Sequence, residues 1–232
     1  MKNLINRVIV GLLLIVIFGM TLFIKSPEEI ASMLLNITNQ LKLFSVIIHI
    51  MFLAIMAAGL IYKKFRNVLF FTFIAFLSIS ATIIGVMYLL LPNIIIFGMF
   101  FVLILNAYRN KKLNFDLEKL KPVSIFFGII GMIGGFWYLH WVENPIWLNA
   151  LFYSPLGSIN CPTMLAVCAF LCLTVKPRSR ILENVVGLIT LFFGFFGIFR
   201  LGAYIDIVLV ACSLFLLLRS RSFMAYEDIF KK

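Results

Sequence analysis

The sequence predicts an all-α protein, a polytopic bundle of about eight transmembrane helices with both termini in the cytoplasm. Three observations support this prediction. The 232 residues are 63% hydrophobic and only 12% charged, whereas a soluble domain carries about 25% charged residues. Apolar runs of about 20 residues, the length that crosses a hydrocarbon core of roughly 30 Å, fill most of the chain from Val8 to Leu218. Basic residues are concentrated between alternate runs.

The predicted spans are the apolar runs between charged or turn-rich breaks. The first run follows Lys2 and Arg7, and no small-residue cleavage pattern follows Met20, so we interpret it as a retained span rather than a signal peptide. The spans form a single membrane domain over residues 1–218, and residues 219–232 form a cytoplasmic tail. The eight spans lie near residues 8–24, 43–62, 67–90, 93–108, 123–140, 161–175, 182–199 and 203–218.

The connection between the first two spans has a helical pattern of its own. Residues 26–40 carry Ile30, Met33, Leu34 and Ile37 at helical spacing. This pattern predicts a short amphipathic helix that lies on the outer membrane surface as a connector.

The distribution of Lys and Arg tests the number of spans and their orientation, because these residues accumulate in cytoplasmic loops. With eight spans and the N-terminus inside, 17 of the 20 Lys and Arg residues face the cytoplasm, and Lys25, Lys42 and Arg200 remain outside. A seven-span interpretation would move the basic tail outside and leave Arg200 and Asp206 within the membrane. We therefore predict a multi-pass protein of the cell membrane, of the bacterial or archaeal inner-membrane type, whose partner is the lipid bilayer.

Composition and motifs exclude several functions. The formal charge of +11 comes from short loops between spans, so it orients the chain and does not indicate nucleic-acid binding. The chain has no GxSxG, HExxH or Walker motif. Two histidines, and four cysteines without a CxxC pair, indicate neither a haem carrier nor a disulfide framework. The sequence therefore implies no cofactor, metal or catalytic residue, leaves enzyme activity undecided and identifies no protein partner.

Ionisable residues are costly inside a bilayer, so they are the first candidates for function. His49 lies near the outer end of the second predicted span, and His140 ends the fifth. His140 and Glu143 either form a pair of ligands or of acid–base groups, or have a structural role at the membrane interface, where aromatic residues form a belt. Arg200 and Asp206 either pair across the last outer turn or mark the ends of two helices.

The connection between the fifth and sixth spans is too aromatic for a solvated loop. The span that follows, 161–175, has 15 residues and a length of about 22 Å, short of the roughly 30 Å core. Non-helical backbone at membrane depth is tolerated only where protein buries it or where it lines a cavity. We therefore predict that the chain from Tyr153 to Asn160 dips below the outer surface and lines a pocket with Cys161 and Thr163.

Cys161 has two interpretations. With Asn160 as N-cap and Pro162 in the first turn, it lies at the positive end of a helix dipole, where a thiol becomes reactive or an anion binds. On this interpretation Cys161 is the most reactive cysteine and is reached from the outer face. The alternative is a buried cysteine behind a helix-starting proline. Cys161, Cys168 and Cys172 share one helix face, a pattern that suits passage of a soft metal ion but is also common in helix packing.

The segment Asn160-Cys161-Pro162-Thr163 leads directly into an apolar helix, and a closing pair of helices follows at 178–199 and 202–218. In these features the last third of the chain resembles a family of uncharacterised bacterial multi-span membrane proteins. That family carries a Cys-Pro-Thr-Thr element at the start of a late helix, and Met164 stands here at the position of the second threonine. The resemblance implies a multi-span bundle and no particular activity.

Three functions are compatible with these observations. The leading prediction is a transporter of a small solute or ion that uses the outer pocket, because a bundle with one dipping segment fits transport. The alternatives are a membrane-embedded thiol or soft-metal-handling protein centred on Cys161, and a non-catalytic membrane component that acts through a partner. The candidate pocket residues are His49, His140, Glu143, Tyr153, Asn160, Cys161, Thr163, Arg200 and Asp206.

Overall fold

A computed structural model describes residues 25–143 and 152–230, together with Gly19, Ile146 and Asn149. The span predicted at 8–24 lies outside these residues, apart from Gly19. The described part of the chain is all-helical and contains no β-strand, as predicted. Its helices are α1 (Pro27–Gln40), α2 (Lys42–Ile61), α3 (Arg66–Met87), α4 (Leu91–Arg109), α5 (Pro122–Phe136), α6 (Asn160–Cys172), α7 (Arg180–Leu201) and α8 (Ile207–Phe230).

Four of the described helices are long and apolar enough to cross a membrane. They are α2, α3 together with the 3-10 turn that precedes it, α4 and α7, while α5 and α6 are apolar but shorter. Much of their apolar surface is not covered by protein. Only 28% of the most apolar stretch of α2 is buried, and Phe199 of α7 is 81% exposed. Exposed apolar surface of this kind is typical of helices that face lipid.

Helix α1 forms where the amphipathic pattern predicts it. Ser26 and Glu29 make a capping box, in which the Glu29 amide donates to Ser26 Oγ over 3.2 Å and the Ser26 amide donates to Glu29 Oε2 over 2.8 Å. Leu34, Ile37 and Thr38 are buried against the bundle. The polar face of the helix stays exposed, so α1 covers one end of the helices that follow.

Helix α6 is the central element of the bundle. It contacts α3, α5, α7 and α8, and all its residues from Cys161 to Cys172 are buried. Glycines on α5 allow this close approach. A Cβ atom on Gly131 would lie 2.8 Å from Ala169 Cβ, and one on Gly135 would lie 3.0 Å from the Pro162 carbonyl oxygen. A helix enclosed on all sides does not need to reach both surfaces of a membrane.

Helices α5 and α6 are shorter than predicted, and so is α3, which ends at Met87 rather than at residue 90. The fifth span was expected at 123–140, but α5 ends at Phe136, whose carbonyl oxygen lies 2.9 Å from His49 Nε2. The sixth was expected to reach residue 175, but α6 ends at Cys172. There the Arg219 guanidinium donates to the carbonyl oxygens of the last turn, with a distance of 2.8 Å to that of Cys172. In both cases a side chain from another helix takes the place of the next helical hydrogen bond.

The connections between helices gather at two ends of the bundle. Contacts between connections define the two ends. At the first end Lys63 pairs with Glu118. At the second end the Tyr88 hydroxyl donates to Gln40 Oε1 over 2.6 Å. Of the fifteen Lys and Arg residues between positions 25 and 220, twelve lie at the first of these ends. We call it the basic end; it comprises residues 62–66, 109–121, 173–180 and Arg219. The opposite end comprises residues 25–42, 88–91, 137–143, 152–159 and 200–206.

Candidate functional site

A buried turn precedes α6 at the opposite end of the bundle. Residues 154–159 are all buried and non-helical, so the helix break predicted around Pro155 and Gly157 is present. Gly157 has φ of +77°, a left-handed conformation that favours glycine. A Cβ atom here would also lie 3.2 Å from Leu77 Cδ2 and 3.3 Å from Ser80 Oγ. Glycine is therefore required at this position for conformation and for space.

Side chains from neighbouring helices satisfy the polar backbone of this turn. Ser80 Oγ donates to the Gly157 carbonyl oxygen over 2.8 Å, and the Gly157 amide donates to Thr163 Oγ1 over 2.9 Å. Ser154 Oγ accepts from the Tyr138 amide over 3.1 Å. Because these partners are provided within the protein, irregular backbone can be buried here at little cost. Thr163, a predicted pocket residue, acts as a partner of the turn.

A cavity of about 150 Å³ lies beside the first residues of α6. Its walls come from α1, from the connection between α3 and α4, and from α7. Two asparagines line it. Asn93 Nδ2 and Asn160 Oδ1 are buried, and neither has a hydrogen-bond partner within the described part of the chain. A buried donor or acceptor without a partner costs about 1–3 kcal/mol, so a ligand or a water molecule that reached these two atoms would remove that cost.

Cys161 connects this cavity to a buried polar group formed by Tyr138 and Asp206. Asp206 is 0% exposed, and the Tyr138 hydroxyl donates to its Oδ1 over 2.7 Å. The Cys161 side chain lies beside both of them. Asp206 Oδ2 has no partner among the described residues. This oxygen lies so close to Gly197 that a Cβ atom there would overlap it.

The structure corrects the expectation that Cys161 is accessible. Its side chain is 2% exposed, and the other three cysteines are buried as well. Helix α6 begins at Asn160, with Ile159 at the N-cap position, so Asn160 does not cap the helix. Cys161 is therefore a buried side chain, and the thiol-handling alternative has lost the access on which it depended.

The other predicted site residues are distributed over separate contacts. His140 packs its ring against Trp141, with 4.5 Å between centroids, whereas Glu143 lies 3.8 Å from Lys42 Nζ. His140 and Glu143 thus do not act as the pair that their spacing allowed.

His49, Arg200 and Tyr153 also lie apart from the cavity. His49 Nδ1 and Nε2 lie 2.7 and 2.9 Å from the carbonyl oxygens of Ser45 and Phe136. Arg200 Nη2 donates to the Lys25 carbonyl oxygen over 3.3 Å, whereas Asp206 faces Tyr138, so the alternative in which Arg200 pairs with Asp206 is wrong. Tyr153 is half-buried at the start of the turn.

Three residues of the site were not anticipated. Asn93 is the first residue of the fourth predicted span, and the rule that polar residues at membrane depth are functional candidates would have selected it. Tyr138 resembled an interface aromatic, and Gly197 a packing glycine. Their roles depend on contacts between distant parts of the chain.

Metal binding has no support from side-chain geometry. Within the described residues, no group of three or more His, Cys, Asp or Glu side chains could hold a metal ion. Cys212 donates to the Phe127 carbonyl oxygen over 3.4 Å, and Cys168 is buried beside Cys172. These contacts are those of cysteines in helix packing.

The chain matches no protein-family model, no curated protein and no solved structure. The resemblance based on residues 160–163 therefore stays a prediction. The indications of function are therefore the geometry of the cavities and the charges at the two ends of the bundle.

Proposed function

We propose that this protein is a multi-pass protein of the cell membrane, with about eight spans and both termini in the cytoplasm, that admits a small polar solute through the cavity beside Asn160. The four long apolar helices are compatible with a membrane protein. The concentration of Lys and Arg at one end supports an orientation with that end in the cytoplasm. On this orientation the cavity opens toward the outer side.

The observation that carries the proposal is the pair of unpartnered amide atoms. Asn93 Nδ2 is a donor and Asn160 Oδ1 is an acceptor, and the two residues line the same cavity of about 150 Å³. At about 30 Å³ per water molecule, this volume holds roughly five waters. A small uncharged molecule with both a donor and an acceptor, such as an amide or a polyol, suits these atoms. The remaining walls are mainly apolar, as in most small-molecule sites.

The interrupted backbone before α6 also favours transport over the alternative of a non-catalytic component that acts through a partner. Transporters commonly build their substrate sites from discontinuous helices, with irregular backbone enclosed at membrane depth. Here the turn at residues 154–159 ends at the cavity, and α6 lies between the cavity and the basic end. Passage of a solute then requires α6 to move relative to its neighbours.

The experiment is solute entry into proteoliposomes, followed by light scattering after an osmotic step. Urea, acetamide and glycerol serve as probes. We expect the protein to accelerate entry of at least one of them, and Asn93→Leu or Asn160→Leu to abolish most of that acceleration. Asn106→Leu is the matched control, because Asn106 is an exposed asparagine at the other end of α4. Entry at the rate of empty vesicles for every probe, or equal loss in the control, would refute the proposal.

A further inference from the structure

A second cavity, of about 700 Å³, lies at the basic end of the bundle. It is formed by the start of α5, the connection between α6 and α7, and α8. It is separate from the cavity beside Asn160, since the two share no lining residue. Five basic side chains line it: Lys119, Lys121, Lys176, Arg178 and Arg219.

Positive charge in this cavity exceeds the negative charge close to it. Arg219 Nη2 donates to Glu183 Oε1 over 2.6 Å, and Arg178 Nη1 lies 3.7 Å from the same oxygen. One carboxylate thus serves two guanidinium groups. Lys119 pairs with Asp116 over 2.6 Å at the rim. Because two guanidinium groups share the one carboxylate of Glu183, positive charge exceeds negative charge among the side chains that the structure describes here.

The two arginines are held in place and partly deprived of water. The Arg219 and Arg178 side chains are 10% and 14% exposed. Arg219 Nε is buried and has no hydrogen-bond partner in the described part of the chain. Burial lowers the pKa of Arg178 from its ordinary value, and repulsion from Arg219 acts in the same direction, although Glu183 opposes them. An anion in the cavity would relieve this unfavourable charge.

The remaining wall of the cavity is apolar and faces outward. Val123 and Leu218 line it and are 47% and 62% exposed, and Phe215 lies beside them. A freely soluble anion gains no favourable contact from an apolar wall. An anionic lipid does, because its hydrocarbon chains can pack against the wall while its phosphate group contacts the basic side chains.

From the clustered basic side chains and the adjoining apolar wall, we infer that this cavity binds the phosphate group of an anionic membrane lipid. Guanidinium groups form paired hydrogen bonds to phosphate oxygens, and ammonium groups add point charges. Basic pockets between transmembrane helices on the cytoplasmic side are suited to anionic headgroups. The lipid's chains would then lie along Val123 and Leu218, outside the bundle.

The inference is tested by native mass spectrometry of the full-length protein in neutral detergent, titrated with phosphatidylglycerol or with phosphatidylcholine. We expect phosphatidylglycerol to bind more tightly. Lys121→Gln combined with Lys176→Gln should weaken its binding about 30-fold. Lys64→Gln combined with Arg109→Gln is the matched control, since it removes the same charge from exposed positions at the same end and should leave the affinity close to that of the wild type.

Three results would overturn the inference. Equal affinity for the two lipids would show that negative charge is not recognised. Equal weakening by the two double variants would show general attraction to the basic end rather than binding in the cavity. Full displacement of phosphatidylglycerol by millimolar inorganic phosphate would assign the site to a soluble anion.

A measurement on the wild-type protein covers the case in which a variant fails to fold. A phosphatidylglycerol analogue with a photoreactive headgroup is expected to crosslink within residues 119–124 or 174–178. Crosslinking confined to other segments would contradict the proposed location.

Discussion

Asp206 is the most constrained polar residue at the opposite end of the bundle. Tyr138 donates to one of its carboxylate oxygens over 2.7 Å, and the other oxygen has no partner among the described residues. Gly197 leaves the space that this carboxylate occupies. A buried carboxylate with so few donors depends strongly on each of them. We therefore expect the Tyr138 hydroxyl to contribute to the free energy of unfolding.

Tyr138→Phe removes that hydroxyl and keeps the ring. We expect the free energy of unfolding to fall by about 1–3 kcal/mol, because the carboxylate loses its donor while staying buried. Thermal unfolding of the purified protein in detergent measures the change. Tyr204→Phe is the control, since Tyr204 is 77% exposed and should unfold like the wild type. Unchanged stability of Tyr138→Phe would mean that the hydrogen bond contributes nothing.

Individual site residues could be predicted from the sequence only in part. Asn160, Cys161 and Asp206 stood out because polar residues are rare in such an apolar chain. Tyr138 did not stand out, because its partner Asp206 is 68 positions away in the chain. A contact over that separation cannot be predicted from a single sequence. Glu183 is the second residue of the span predicted at 182–199, and the same rule would have selected it. The accessibility expected of Cys161 was wrong because α1, α4 and α7 cover the start of α6, an arrangement that depends on long-range packing.

At the scale of elements, the pairing of α5 with α6 depends on glycine. A Cβ atom on Gly135 would lie 3.0 Å from the Pro162 carbonyl oxygen and 3.2 Å from the Ala166 amide nitrogen. Both are backbone atoms of α6, which cannot move aside as a side chain can. A methyl group at this position must separate the two helices or distort one of them.

Gly135→Ala should therefore lower the free energy of unfolding by up to about 2 kcal/mol, because overpacking outweighs the gain in helix propensity. Gly98→Ala on α4 provides the matched comparison. The nearest atom to a Cβ there is Thr82 Cγ2 at 3.9 Å, so this change should be neutral or stabilising by up to about 1 kcal/mol. Thermal unfolding of the two variants side by side measures the difference. A Gly135→Ala variant as stable as Gly98→Ala would contradict the close packing of α5 on α6.

Most helices could be predicted because apolar runs and their charged breaks are local features. Helix α1 was predicted from its spacing, and α2, α3, α4 and α7 from their length. The ends of α5 and α6 were misplaced for one physical reason. Each ends where a side chain from another helix, His49 or Arg219, meets its last carbonyl groups, and composition does not reveal that partner.

At the scale of the whole molecule, the two ends differ in charge and in connection. The Asn114 and Val175 backbones form an isolated bridge at the basic end, and the Ser179 amide donates to the Lys112 carbonyl oxygen over 3.1 Å. These contacts fix two connections, the one between α4 and α5 and the one between α6 and α7, on the same side of the bundle. Twelve basic residues lie there and three at the other end. Because Lys and Arg accumulate on the cytoplasmic side, this asymmetry predicts one orientation in the membrane.

Cysteine labelling in intact cells tests that orientation, and the burial of all four native cysteines keeps the background low. Tyr204→Cys and Lys112→Cys place a thiol at exposed positions on the opposite and basic ends. A membrane-impermeant thiol reagent should label Tyr204→Cys directly and Lys112→Cys only after the membrane is permeabilised. The reverse pattern would invert the bundle and put the basic cavity on the outside. Labelling of both positions in intact cells would show that the two ends are not separated by a bilayer, and the eight-span prediction would fail with it.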